Sequence, residues 1–413
     1  MDVPNAVARV DVRFAGEGAG EAELTWGQRA IYQAMGRERS WLPMGGHRPV
    51  PAGTTVADVE AELRYTMERY QAFRTRLRPR DGGPPGQSVA AAGVAHLDVV
   101  EADGADPDEV AAAVERAYRG TEPDLVRDWP MRMALVCRGG RPARLVAVIP
   151  HLVTDGIGAG VMVDEVNRRA DAPVAGLRPL DLVEWQASPA GVRQHAGALR
   201  HWERHAPDLE PFTTGIRSSQ RYRKCLLESP RLAARLPEAA ARTGVDQSTV
   251  LLTAYLAAIG RVAGRGTVAV RQVVSNRFRS GLSDVVSPIT QLGLCVADVS
   301  GGFDEAVASV ARAALPARKY AYYDPFAMPD APTPCFNDRR ATAAMAFRSA
   351  GLGAERADPG TLTWAGPPPG PTEPLFLHAD DVPGAVRLIL DVDTACFSPA
   401  DVEAIARTIE ELV

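Results

Sequence analysis

The chain has 413 residues, which is too long for one ordinary hydrophobic core and favours two lobes. Its 46% hydrophobic and 23% charged residues are typical of a globular protein. The net charge of -5 gives no indication of the basic surface that a nucleic-acid-binding protein needs. Five scattered cysteines without a CxxC pair indicate neither a zinc site nor a disulfide framework. No leader peptide or membrane-length apolar run is evident, so we expect a cytoplasmic protein with no membrane partner.

The first third of the chain alternates strand and helix patterns, which indicates an α/β layer. In chain order we expect a strand over 10–14, helices from 24 and 54, a strand over 73–77, a loop over 81–93, a strand over 95–100, a helix over 106–118 and paired strands over 131–136 and 144–149. Thr25 is the expected N-cap of the first helix. Arg74 and Arg76 are assigned to a solvated strand face without chemistry.

The stretch 145–160 organises the rest of the chain. An apolar run predicts a buried strand that stops at Pro150, and His151 is the first polar side chain beyond it. Asp155 and Gly156 follow, and then a helix is expected over 161–166. His151 therefore follows directly after a strand, in a turn that also contains the Asp155 carboxylate. This position suits an imidazole that acts as a general base. The alternative readings are a packed or solvated histidine, or a partial dinucleotide fingerprint that lacks its third glycine.

The second half begins after a Pro-containing linker over 171–180 and repeats the α/β pattern. The expected elements are a strand over 221–227, helices over 231–243 and 247–263, a strand over 267–274, a hairpin over 375–378 and 385–391, and a last helix capped by Ser398. His201 and His205 lie one helical turn apart, but no third metal ligand is evident, so an exposed helix face is the preferred reading.

The sequence His151-x-x-x-Asp155-Gly156 resembles the HxxxDG motif of the chloramphenicol acetyltransferase superfamily, which includes the condensation domains of nonribosomal peptide synthetases. Those domains usually carry HHxxxDG, and here the first histidine is Pro150. The resemblance implies two chloramphenicol-acetyltransferase-like α/β lobes in a V-shaped pseudo-dimer, over 1–175 and 176–413, with the active site between them. It also implies a monomer, because two lobes in one chain replace the trimer of single-lobe enzymes.

The resemblance assigns roles to individual residues. His151 would be the catalytic base, and Asp155 would pair with Arg277 to fix the loop. Gly156 fits where a side chain would crowd the loop, and backbone N–H groups near 156–158 are candidate oxyanion donors. Asn337 is a weaker candidate near the active-site channel. No metal and no bound cofactor are expected.

The implied function is a free-standing acyltransferase of natural-product biosynthesis. It would join an acyl or aminoacyl thioester, on the phosphopantetheine arm of an acyl or peptidyl carrier protein or on coenzyme A, to a small-molecule or carrier-bound amine or hydroxyl. A catalytically silent module that binds a carrier or recruits a tailoring enzyme is the alternative, and a family member that rearranges a tethered chain is a third. Pro150 puts ordinary peptide-bond condensation in doubt. The sequence leaves donor, acceptor and product type open.

Overall fold

A computed structural model describes residues 6–214, 220–329, 332–340, 360–366, 368 and 370–413. The first part of the chain forms β1 (Ala6–Ala15), β2 (Gly20–Glu23), α1 (Trp26–Glu38), β3 (Pro43–Pro49), α2 (Val56–Arg69), β4 (Thr75–Arg78), β5 (Gly86–Val89), β6 (Ala92–Glu101), α3 (Pro107–Gly120), β7 (Arg132–Arg138), β8 (Arg141–Pro150) and α4 (Gly156–Arg168). The second part forms α5 (Pro179–Ala187), α6 (Pro189–His205), β9 (Tyr222–Ser229), α7 (Pro230–Thr243), α8 (Gln247–Ala263), β10 (Thr267–Val274), β11 (Gln291–Asp298), α9 (Phe303–Lys319), β12 (Cys335–Asp338), β13 (Leu362–Ala365), β14 (Leu375–Val382), β15 (Ala385–Asp393) and α10 (Pro399–Leu412).

Local capping explains why several helices begin where the sequence predicts. At α1 the Thr25 hydroxyl accepts a hydrogen bond from the Gln28 N–H, and the Gln28 side chain accepts one from the Thr25 N–H. Thr55 caps α2 and Ser398 caps α10 with the same reciprocal arrangement. These caps satisfy N–H groups that have no partner within the helix, so each helix has a defined first turn.

The fold is mixed α/β, as the sequence predicts, and contains two large sheets. The five-stranded sheet has the order β1-β6-β7-β8-β3, and the seven-stranded sheet has the order β11-β10-β12-β14-β15-β9-β13. A smaller sheet has the order β2-β5-β4. The two large sheets use strands from before and after α4–α6, and the predicted division at 175/176 falls between α4 and α5. That boundary stays a prediction.

Each large sheet buries apolar side chains against helices. In the first sheet one face packs on α2, and the opposite face packs on α3. In the second sheet one face packs on α7, α8, α9 and α10 through a continuous apolar cluster. Side chains alternate across a strand, so the residues between those core positions on β9, β14 and β15 point away from the four helices. Within the described ranges, no helix combines the length and apolar character that a membrane span needs.

The structure differs from the sequence expectations in three regions of the chain. The loop expected over 81–93 contains β5, and β3 is a strand that we did not predict. The strand expected over 73–77 starts only at Thr75, and Arg74 is 1% exposed rather than solvated. Its guanidinium donates hydrogen bonds to backbone carbonyls, including those of Gly16 and Glu17, which is why a charge is tolerated in the interior.

The histidine pair on α6 also departs from the expected exposed face. His201 is 4% exposed, and its Nε2 lies 2.9 Å from the carbonyl oxygen of Leu294 on β11. The His201 ring stacks on Tyr320 with 5.4 Å between ring centroids. His201 is therefore a packed residue that joins α6 to the second sheet.

Candidate active site

The end of β8 positions His151. Pro150, the last residue of β8, lies opposite Pro43 on the edge strand β3. Neither proline has an N–H, so the ladder between the two strands cannot continue regularly. The His151 N–H instead donates to the carbonyl of Leu42 over 3.0 Å. His151 is therefore held through its backbone at the end of the first sheet, and it is partly exposed.

Asp155 is the centre of a buried hydrogen-bond network. It caps α4 by accepting from the Gly158 N–H over 2.9 Å, and the same oxygen accepts from the Arg277 guanidinium. Its other oxygen accepts from the Ile289 N–H, the Thr290 N–H and the Thr290 hydroxyl at 3.1, 3.1 and 2.9 Å. We call these five residues the Asp155 network. Five donors thus occupy the two oxygens of this carboxylate.

The Asp155 network joins the two halves of the chain. Asp155 ends the turn after β8 and Gly158 lies in the first turn of α4. Arg277, Ile289 and Thr290 lie in the connection between β10 and β11. The network therefore fixes the loop that carries His151 against the edge of the second sheet.

The charge of Asp155 is stabilised despite its burial. Burial raises the pKa of this carboxyl, but the Arg277 guanidinium and the N–H donors of Gly158 and Ile289 outweigh it and hold the pKa below its ordinary value. Asp155 is 2% exposed, and the Arg277 side chain is 8% exposed. Arg277 also donates to the Val285 carbonyl over 2.9 Å, so it is a buried structural arginine and not a solvated loop residue.

Gly158 is crowded by its surroundings, whereas the crowding expected at Gly156 stays a prediction. A Cβ atom on Gly158 would lie 2.3 Å from the Thr154 hydroxyl oxygen and 2.8 Å from the Val285 carbonyl oxygen. Gly156 itself is the first residue of α4. The Gly158 N–H is already bound to Asp155, so it is removed from the predicted set of oxyanion donors.

Asn337 does not belong to the Asp155 network. It lies on β12 in the second sheet, where its Nδ2 is 3.4 Å from Nδ1 of His378 on β14. The structure thus places four of the predicted site residues around the loop after β8: His151, Asp155, Gly156 and Arg277. Asn337 lies apart from them, on the second sheet.

The end of α1 is a part of the site region that sequence reasoning missed. Arg37 and Arg271 both pair with Glu373, at 3.0 and 2.6 Å. A Cβ on Gly370 would lie 1.9 Å from the Glu38 carbonyl oxygen, so the segment before β14 packs directly on α1. No local pattern predicts this contact, because its partners are far apart in the chain.

A groove of about 500 Å³ opens beside α1. Its described lining residues are Tyr32, Gln33, Gly36, Arg37, Gly83, Pro84 and Phe326. The groove is bounded by residues from both halves of the chain, and Arg37 links it to Glu373. His151 is not among its described lining residues. Among the residues that the structure describes, no cluster of three metal-ligating side chains is arranged to hold a metal ion.

The family model for the condensation domain matches residues 52–325. The nonribosomal peptide synthetase kk1B of Curvularia clavata is 24% identical over 307 residues, which cover 66% of this chain and 2% of that protein. The phosphinothricin tripeptide synthetase PhsC of Streptomyces viridochromogenes is 26% identical over 260 residues, which cover 58% of this chain and 23% of that protein. The chain thus spans a small part of the curated relatives it matches.

Solved structures show the same fold. A condensation domain that mediates chain release from the enacyloxin polyketide synthase matches with a TM-score of 0.72 and 19% identity, covering 96% of this chain and 82% of that one. The X-domain from teicoplanin biosynthesis, solved in complex with OxyB, matches with a TM-score of 0.68 and 20% identity, covering 98% and 96%. SgcC5 from Streptomyces globisporus matches with a TM-score of 0.67 and 16% identity, covering 94% and 97%.

Proposed function

The chain belongs to the condensation-domain family, and from that premise we propose that it is an acyltransferase. The donor is an acyl or aminoacyl thioester on the phosphopantetheine arm of a carrier protein, with coenzyme A as the alternative carrier. The acceptor is an amine or hydroxyl, on a small molecule or on a second carrier. The observation that carries the proposal is the position of His151, partly exposed at the end of β8 and anchored next to the Asp155 network.

His151 would accept the proton of the attacking group. The acceptor nitrogen or oxygen forms a bond to the thioester carbon, the proton moves to the imidazole, and the carbon–sulfur bond then breaks. The imidazole returns the proton to the leaving thiolate, so the step needs no other reactant. Holding both substrates in one site supplies much of the rate, since effective molarity is worth ~7–11 kcal/mol for well-oriented groups.

Asp155 would act through its position. Its carboxylate ties the turn after β8 to Arg277 and to the backbone of Ile289, so the loop carrying His151 keeps one conformation. Loss of this carboxylate moves the imidazole relative to the substrates and leaves its intrinsic chemistry unchanged.

The test compares wild type with His151→Ala in reactions of carrier-bound acyl thioesters with candidate amines and alcohols. We expect the variant to lose acyl transfer and to keep the melting temperature of the wild type. His96→Ala is the matched control, because His96 is a half-exposed histidine on β6 paired only at the surface with Asp11. Equal product formation by His151→Ala and wild type would refute the base role.

A second candidate function is a binding module without acyl transfer. Two points favour weighing it. Pro150 precedes His151 at the position where, by the family resemblance, condensation domains usually carry a histidine. The matching X-domain from teicoplanin biosynthesis was solved in complex with OxyB. Mass spectrometry of the loaded carrier separates the candidates. Acyl transfer unloads the carrier, a binding module leaves the loaded carrier unchanged, and rearrangement of the tethered chain changes the mass of the attached group.

A further inference from the structure

The second sheet presents a polar face away from its four helices. Lys224 on β9 lies opposite Asp391 on β15, and Asp391 lies opposite Phe376 on β14. His378 follows Phe376 on the same face, and their rings stack at 4.1 Å between centroids. We call these four residues and Asn337 the polar face. Their neighbours in the strands, such as Leu377 and Leu390, are in the apolar core.

The C-terminal end of α1 lies over this polar face. Glu373, which immediately precedes β14, holds Arg37 on one oxygen and the buried Arg271 on the other. The segment at Gly370 packs against the carbonyl of Glu38. The chain then leads from Glu38 to Leu42, whose carbonyl accepts from the His151 N–H. The polar face and the loop of His151 are therefore linked through the end of α1 and the segment that follows it.

Asp391 carries an unsatisfied oxygen. Its Oδ1 is shielded from solvent, and no described residue donates a hydrogen bond to it. The nearest cation, Lys224 Nζ, is 3.9 Å from Oδ1, and His378 Nε2 is 3.8 Å from Oδ2. Both distances exceed a hydrogen bond. A shielded carboxylate oxygen without a donor is costly, and a cationic group placed beside it would remove that cost.

Glu38 adds a second carboxylate to this region. Its pKa is raised to about 7, because the effects of burial, the largest, and of the Glu373 and Asp391 carboxylates outweigh the opposing effect of Arg37. The pKa of Asp391 is also raised by burial, against the opposing effect of Lys224 and Arg339. Glu373 already has two arginines, so Glu38 and Asp391 are the two carboxylates here whose charges are least compensated.

We propose that Asp391 binds an ammonium group on one of the two substrates. This inference rests on the proposed function, which supplies the substrates. The bound ammonium is not the attacking amine, because an attacking nitrogen needs a free electron pair. An organic ammonium fits better than a metal ion, since the described residues offer no third metal ligand at this place.

The test measures binding with two matched pairs of unreactive probes by isothermal titration calorimetry. The donor pair is γ-aminobutyryl and valeryl groups joined to pantetheine through an amide in place of the thioester. The acceptor pair is putrescine and n-pentylamine. We expect wild type to bind the probe with the additional ammonium at least tenfold more tightly in one pair, which identifies the substrate concerned.

Asp391→Asn should reduce that preference to less than twofold. Asp381→Asn, which removes an exposed carboxylate from the end of β14, should leave it unchanged. Melting temperatures of both variants establish that they are folded. Equal affinity within both pairs, no binding of any probe, or a preference that survives Asp391→Asn would each overturn the inference. Failure of acyl transfer together with an intact ammonium preference would instead reject the proposed function alone.

Discussion

Replacement of Asp155 by asparagine tests whether the Asp155 network holds the two halves together. The amide oxygen can still accept from Ile289 and Thr290, but the amide nitrogen then faces the donors of Gly158 and Arg277. Removal of one partner from a buried ion pair costs about 3–5 kcal/mol. Loss of the N-cap of α4 adds about 1 kcal/mol. We therefore expect Asp155→Asn to lower the free energy of unfolding by ~4–6 kcal/mol.

Urea denaturation followed by tryptophan fluorescence measures this loss, and a double-mutant cycle assigns it to the pair. Arg277→Met removes the guanidinium, and the double variant should be less destabilised than the sum of the single variants by ~1–3 kcal/mol. Glu238→Gln is the control, because Glu238 pairs with Arg235 at the surface, and an exposed pair of this kind contributes at most about 1 kcal/mol. Additive effects of the two single substitutions, or a loss no larger than that of Glu238→Gln, would refute the reasoning.

The contribution of Asp155 to the free energy of unfolding should also depend on pH. The pKa of Asp155 is lowered in the folded state, so the stability it contributes is present above its unfolded pKa of about 3.9 and is lost as the pH falls through the folded-state value. The difference in unfolding free energy between wild type and Asp155→Asn should therefore be constant near neutral pH and shrink in acid.

Three further predictions concern single positions. His151→Ala should lower the rate of acyl transfer by ~10²–10⁴-fold at unchanged stability, measured by product formation from a loaded carrier, and an unchanged rate would exclude the base role. Gly158→Ala should lower the free energy of unfolding, measured by urea denaturation, by about 1–3 kcal/mol, because its Cβ would lie 2.3 Å from the Thr154 hydroxyl. Gly36→Ala is the control and should be neutral or stabilising, because no atom lies within 4 Å of the added Cβ. Equal effects of the two substitutions would contradict the crowding at Gly158. The pKa of Glu38 is raised from 4.5 to about 7, so its stabilising contribution is full below pH 4.5 and is lost as pH rises through about 7. Glu38→Gln should therefore become more stable relative to wild type as the pH rises from about 4.5 to about 7, and parallel pH profiles over that range would exclude this.

Much of the local structure follows from the sequence. The caps at Thr25, Thr55 and Ser398 and the strand–turn–helix around His151 depend on groups within one or two turns of each other, and all of them are present in the structure. The family resemblance also named Arg277 as the partner of Asp155, and the guanidinium does donate to that carboxylate. Hydrogen bonds and side-chain periodicity over such short spans are readable from a single chain.

The tertiary structure alone decided the surroundings of the site. The pairing of β3 with β8, the buried Arg74, and the donors of Ile289 and Thr290 on Asp155 depend on backbone groups that any residue type presents. The contact between Gly370 and the end of α1 joins parts of the chain with no shared pattern. Such contacts depend on how the two sheets and their helices pack. The free energy that each contact contributes is therefore determined only in the folded chain, where residues distant in sequence become neighbours. For this reason the sequence located the imidazole, whereas only the packed chain located the polar face that we propose selects its substrate.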